Sequence, residues 1–367
     1  MKMRWKWFVL LVIFSMVLAA CGGGGDSSTE GQNEAPAETP EEGSDQGGAK
    51  SSGQLTLATM PVGGSINTVG NAIASLVSTH SETQVSVSPF AGLAAWGPLL
   101  NAGEADFGLA TEPELAWGYA GENGFEQMEN MRLLVRGNPI PAPGFMVRGD
   151  TDIHKVADLK GNRLASEYPG SVSAKALLDA GLALNGLTWD DVVQVPTPTL
   201  VDGANGIRDN QLDAAYALVP GTPAVEEVHN AVPLRAINFL DEYTVETFDD
   251  IPESDYELLQ SYLPGSEFTV IQPNGYITEP IIGVQYYLQL VVGTHLSDEV
   301  VYNVLETIWN NIESTHNVHP WMTQWTPENM FDPDPTVPYH PGAVQFFKDQ
   351  GLWTDETEQI QQELLNQ

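Results

Sequence analysis

The chain has 367 residues, 42 % of them hydrophobic, which suffices for two domains of ordinary size and a large core. It carries 14 Lys+Arg against 49 Asp+Glu, a formal net charge of −35. A surface this acidic repels nucleic acid and anionic headgroups, and the single cysteine excludes a disulfide framework or a thiolate metal site. Self-repulsion on this scale is tolerable in high salt, so the composition points to a halophilic source.

The chain opens on a targeting segment over 1–20. Lys2, Arg4 and Lys6 are followed by an apolar run over 8–17, short for a membrane span. Leu18-Ala19-Ala20-Cys21-Gly22 resembles the lipobox of bacterial lipoproteins, which implies a lipidated Cys21 at the mature N-terminus. Residues 22–53 are rich in Gly, Ser, Glu and Pro and lack aromatics. They read as a flexible tether, giving a lipid-anchored linker over 21–53.

The folded part begins near Gln54. A strand over 55–59 meets the turn Met60-Pro61-Val62-Gly63-Gly64-Ser65. Ile66, Val69, Ala72, Ile73, Leu76 and Val77 then recur with helical spacing. A glycine loop ahead of a helix start exposes unpaired N–H groups to a small anion, although such a loop also occurs as a plain βα turn. It is neither GxGxxG nor GxxxxGK[ST], so no nucleotide motif is present. A strand over 84–88, a loop with Gly92 leading into a helix with Trp96, and a strand over 107–110 follow. Thr111-Glu112-Pro113-Glu114 starts the next helix. This order predicts a mostly parallel sheet with ligands at the carboxyl ends of its strands.

A strand over 131–136 precedes Pro139-Ile140-Pro141-Ala142-Pro143-Gly144, which is expected to break it. The strand over 145–148 marks a crossover into a second βα unit. There Tyr168-Pro169-Gly170-Ser171-Val172-Ser173 forms a second glycine/serine loop at a helix start, and Pro220-Gly221-Thr222-Pro223 opens another helix. Residues 276–292 are long, apolar and strand-like, suited to crossing back. The expected domains are one lobe from 54–145 plus 279–367 and a second from 146–278, closing on a small ligand.

Several stretches together resemble the TAXI-type substrate-binding proteins of TRAP (tripartite ATP-independent periplasmic) transporters. They are the Pro61-Val62-Gly63-Gly64-Ser65 loop, Val156-Ala157-Asp158-Leu159-Lys160-Gly161-Asn162-Arg163, Pro169-Gly170-Ser171, and above all Pro338-Tyr339-His340-Pro341-Gly342-Ala343. The likeness spans about 55–352. It implies a two-lobed α/β fold of the type II periplasmic-binding-protein kind, each lobe a mixed, mostly parallel sheet flanked by helices. It further implies a lipid-anchored receptor outside the cytoplasm, which captures a small organic acid or amino acid of glutamate or dicarboxylate type. The ligand would pass to membrane subunits driven by an ion gradient. A ligand-sensing lipoprotein of the same fold is the alternative. Met60-Pro61 and the Gly92-Leu93-Ala94-Ala95-Trp96 loop depart from the family's usual pattern.

The candidate ligand residues are Gly63, Gly64, Ser65, Ile66, Gly92, Trp96, Thr111, Glu112, Tyr168, Gly170, Ser171, Ser173, Lys175, Pro220, Gly221 and Thr222. A carboxylate would use Lys175 and the N–H groups near Ser171 and Ser65, unless Lys175 only pairs with the acidic surface. Glu112 or Glu167 would suit an ammonium, unless they are solvated loop acids. Trp96 and Tyr168 would wall the cleft, or belong to the core. His316, His319 and His340 do not form HExxH and read as structural, and neither metal nor cofactor is expected. No GxSxG elbow and no cysteine nucleophile is present, so the chain does not read as an enzyme.

Overall fold

The computed structural model describes residues 53–169 and 171–367. The leader, Cys21 and almost all of the tether lie outside the described residues. Among the described residues no helix is long and apolar enough to cross a membrane.

The first unit runs through strand β1 (Gln54–Thr59), helix α1 (Ser65–His80), β2 (Gln84–Pro89), α2 (Leu93–Asn101), β3 (Phe107–Thr111) and α3 (Glu112–Ala120). β1 pairs in parallel with β2 on one side and β3 on the other. All five residues of β3 are buried, as a strand covered on both faces requires. Val69, Ile73, Leu76 and Val77 form the buried stripe of α1 that the helical spacing predicts.

The strand β4 (Met131–Ala142) continues through Pro139 and Pro141 rather than ending before them. It pairs with β11 (Ile281–Gly293), Pro139 facing Tyr287 and Pro141 facing Gln285. β11 has β4 along one side; along the other it has β10 (Glu267–Ile271) and then β3. β4 is therefore an edge strand, where a missing N–H costs no ladder bond. Its early part is covered instead by the Pro338–His340 segment: Leu133 N–H donates to the Pro338 carbonyl and His340 N–H to that of Leu133.

The second sheet is built from β5 (Phe145–Arg148), β6 (Arg163–Glu167), β7 (Val193–Thr197), β8 (Ala214–Tyr216) and β9 (Leu234–Ala236), in the order β7-β6-β8-β5-β9. α4 (Val172–Leu184), α5 (Leu200–Arg208) and α6 (Pro223–Ala231) join them. β6 is parallel to β7 and β8, whereas β5 runs antiparallel to β8 and β9. Both sheets are thus mixed: their βα units give the parallel pairs, and the strands entering or returning give the antiparallel ones. The strand β10, inside the span expected for the second lobe, follows α7 (Glu253–Tyr262) and belongs to the first sheet.

The two sheets are stitched where the chain crosses between them. Gly144 takes φ +89° and presses against the Phe239 ring, where a Cβ would overlap it. Phe239 N–H donates to the Ile282 carbonyl, and Ile282 N–H donates to Asn238 Oδ1 at 2.7 Å. After β11, α8 (Asp298–Asn311), α9 (Pro341–Asp349) and α10 (Asp355–Leu365) complete the first unit. Phe346, Phe347, Tyr339, Phe331 and Trp309 form an aromatic cluster there with centroids 5.0–6.3 Å apart. That cluster explains the spacing in PYHPGAVQFF: the proline starts α9, and both phenylalanines are buried.

Candidate functional site

The first turns of three helices meet around one cavity of about 290 Å³. The start of α2 contributes Gly92, Leu93, Ala94 and Ala95; α3 contributes Glu114; α4 contributes Val172, with Pro169 just before it. Met60, from the loop after β1, and Asn123, Gly124 and Phe125, from the loop after α3, complete the wall. Helix starts carry unpaired N–H groups and the positive end of the helix dipole, so this cavity suits a small group with acceptor oxygens.

Local sequence dictates this convergence. Apart from the loop after α3, each contributing loop follows the carboxyl end of a strand, where βα order places it. The loop after β6 is strained: Glu167 (φ +79°) and Tyr168 (φ +40°) are both left-handed without being glycine. The strain is held by the Tyr168 side chain, which is buried and whose hydroxyl accepts from the Tyr216 N–H at 3.2 Å. At the other loop, Asn67 Nδ2 donates to Thr59 Oγ1 at 2.9 Å and ties the start of α1 to the end of β1.

Among the described residues Glu114 is the only titratable side chain lining the cavity, and no lysine, arginine or histidine lines it. Burial raises its pKa above the usual carboxylate range. Thr111 and Ser173 lie near its carboxylate and oppose that rise. Ser173 belongs to α4, so this contact joins the two units across the cavity wall. Behind it lie Tyr286 of β11 and Tyr216 of β8, close to each other, with Ser173 near Tyr286. Burial raises both phenols, and Tyr286, beside Tyr216 and Glu114, is raised furthest.

The expected site residues separate into groups. Gly92 lines the cavity, and Thr111 and Ser173 stand near its carboxylate. Ser171 caps α4 between Pro169 and Val172, while Gly170 lies outside the described residues. Gly63, Gly64, Ser65 and Ile66 form the start of α1, but Met60 is the residue of that loop on the wall. Trp96 and Tyr168 are wholly buried: the Trp96 ring packs over Gly108, and the reading of both as cleft walls gives way to a core role.

Lys175 is not brought to the cavity. Asp179 holds its ammonium at 2.7 and 3.0 Å, and it lies over the Trp189 ring at 4.7 Å. Pro220, Gly221 and Thr222 make a turn of their own: Gly221 N–H donates to Glu226 Oε1 and Thr222 Oγ1 to the Val219 carbonyl. Glu112 is buried in the first unit, away from the cavity. The acid in the site is Glu114, two residues on. Helical residues two apart point about 200° away from each other, so only one of the pair can face the cavity. Pro113 locates the helix start without saying which. The imidazoles of His319 and His340 serve as helix caps, accepting from the N–H groups of Trp321 and Gly342.

A two-sheet α/β protein with a small cavity at the strand ends, walled by both units, is a ligand-binding architecture. The chain belongs to the NMT1-like family, whose model matches residues 57–351. Among solved structures it is similar to the periplasmic aliphatic sulphonate binding protein SsuA from Escherichia coli, at 16 % identity over 86 % of this chain and all of that one, with a TM-score of 0.45. A TctC solute binding protein from Polaromonas matches at 17 % identity over 85 % of this chain and 98 % of that one, with a TM-score of 0.46. XAC2383 from Xanthomonas citri bound to ATP matches at 11 % identity over 84 % and 98 %, with a TM-score of 0.45.

Proposed function

We propose that this chain is a solute receptor working outside the cytoplasm. It captures a small amino acid or organic acid between two lobes, 54–145 with β10 and 279–367, and the rest of 146–278, and delivers it to a TRAP-type transporter driven by an ion gradient. Cys21 would anchor it to the membrane through lipid. The observation that carries the reading is the cavity whose walls come from both units, with the Glu114 carboxylate of α3 standing beside Ser173 of α4. Only the closed form offers the α2, α3 and α4 helix starts to one ligand together, so closure and affinity are linked.

The electrostatics favour the amino-acid arm of this reading over a dicarboxylate. Two carboxylates would enter a site holding a third, with no basic side chain to balance them. An α-amino acid places its carboxylate at the helix starts and its ammonium on Glu114. The test is a thermal-shift and calorimetric panel of amino acids, dicarboxylates and 2-oxo acids in high salt. A ligand at 100 times its Kd adds about 2.7 kcal/mol of stability. Stabilisation by an amino acid, without a matching effect of its dicarboxylate analogue, is expected; a folded protein blank to every class contradicts the reading.

A further inference from the structure

Glu112 enters a different pocket, inside the first unit. It is 2 % exposed. Its Oε1 accepts from Thr336 Oγ1 at 3.4 Å, and its Oε2 is buried with no partner. On the same side of the sheet lies Gln289, paired with Ala110 on β3 and with Arg136 on β4. Gln289 is fully buried; its Nε2 donates to Asp332 Oδ2 at 3.3 Å, and its Oε1 has no partner. Both unpartnered atoms are acceptors.

The charges around them do not balance. Arg136 Nη1 stands 3.5 Å from Asp332 Oδ1, and its guanidinium lies 4.4 Å over the Tyr287 ring. Asp332 also accepts from the Asp334 N–H. The Tyr287 N–H faces the Glu112 carboxyl, and Tyr339, whose hydroxyl bonds the Asp332 backbone, is the remaining titratable group beside the pair. Glu267 of β10 lies beyond Tyr287, and Glu114 points into the cavity. One guanidinium therefore serves two buried carboxyl groups. An ionised Glu112 would leave a negative charge without solvent or counterion. Gly265 packs so closely on the Glu112 carboxyl that a Cβ there would overlap it, which closes the pocket on the Oε1 side. A proton needs no room.

We propose that native Glu112 is a neutral carboxylic acid at neutral pH, its Oε2–H donating to Gln289 Oε1, so that the pocket takes one proton from solvent on folding and keeps it. One bond then satisfies both orphaned oxygens, and the remaining charges, Asp332 and Arg136, cancel. The pKa shift agrees in direction: burial, then the neighbouring Asp332, push Glu112 up, against Arg136.

The test is infrared spectroscopy of the full chain in D2O at neutral pH, with unfolding measured against pH. The wild type should show the carbonyl band of a protonated carboxyl, absent in Glu112→Gln and present in Asp332→Asn. A raised acid pKa makes the folding constant fall as pH rises, about tenfold per unit for the one proton held. Glu112→Gln, whose amide donates in the proton's place, should fold and lose that one-proton slope. No band in the wild type, a band that survives Glu112→Gln, or an unchanged slope would overturn the assignment. None of these readouts depends on the cavity ligand, so they stand apart from the receptor reading.

Discussion

At Glu114 the burial that raises the carboxyl pKa also fixes the direction of its pH dependence. The native state holds a proton more tightly than the unfolded chain does. The ligand-free protein therefore loses stability as pH rises from the ordinary carboxylate range through the raised native value. Ligand binding runs the other way: a protonated Glu114 cannot pair with an ammonium, so amino-acid affinity should fall as pH drops through that same value. Glu114→Gln removes a charge-assisted bond of about 1.5–3 kcal/mol and should weaken binding roughly 10- to 100-fold, read by calorimetry. Lys175→Ala makes the opposite case. Because Asp179 and Trp189 already hold that ammonium, ligand affinity should be unchanged, and stability should shift by no more than about 1 kcal/mol. Composition explains why Lys175 pairs with the acidic surface instead of reaching the cavity. With 49 acids and 14 bases, many of the cations find a nearby carboxylate: Arg148 pairs with Asp150, Lys160 with Asp191, Arg163 with Asp213 and Lys348 with Glu358. A lysine near a cleft in such a chain is taken by its neighbours.

At the scale of elements, what the sequence could show depended on how local the cause was. The helical stripe of α1, the βα alternation and the proline starts of α3 and α9 are set within a few residues, and they are legible. The continuation of β4 through two prolines is not legible, because it depends on β11, some 140 residues later, pairing with β4 along one side and making it an edge strand. The place of β10 in the first sheet is equally non-local, since only its pairing with β11 decides it. Among the site residues, loops at helix starts could be found from glycine and serine. Which side of α3 faces the cavity could not, because that depends on how α3 sits against β11. At the crossing between the sheets, Gly144 is required twice, by φ +89° and by the Phe239 ring. Gly144→Ala should cost about 2–4 kcal/mol in chemical denaturation, well above an exposed Gly→Ala change. A cost below about 1 kcal/mol would mean that the crossing adjusts freely.

For the whole molecule, the charge of −35 sets the response to salt. The ion pairs noted above use few of the acids, and the rest repel one another across the surface. Raising salt from about 0.1 M to about 1 M shortens the screening length from about 10 Å to about 3 Å, so the melting temperature should rise over that range. A flat or falling melting temperature would remove the halophilic reading while leaving the fold untouched. The two-unit architecture carries the functional claim, since the cavity exists only where the loops of both sheets meet. The most direct measurement is calorimetric titration of an amino acid and of its matched dicarboxylate, for example glutamine beside glutarate, into wild type and Glu114→Gln at neutral pH and high salt. The account predicts one-to-one binding on the amino-acid side, weakened in the variant, and little or no dicarboxylate binding. Tighter binding of the dicarboxylate, or amino-acid binding unaffected by Glu114→Gln, would contradict it.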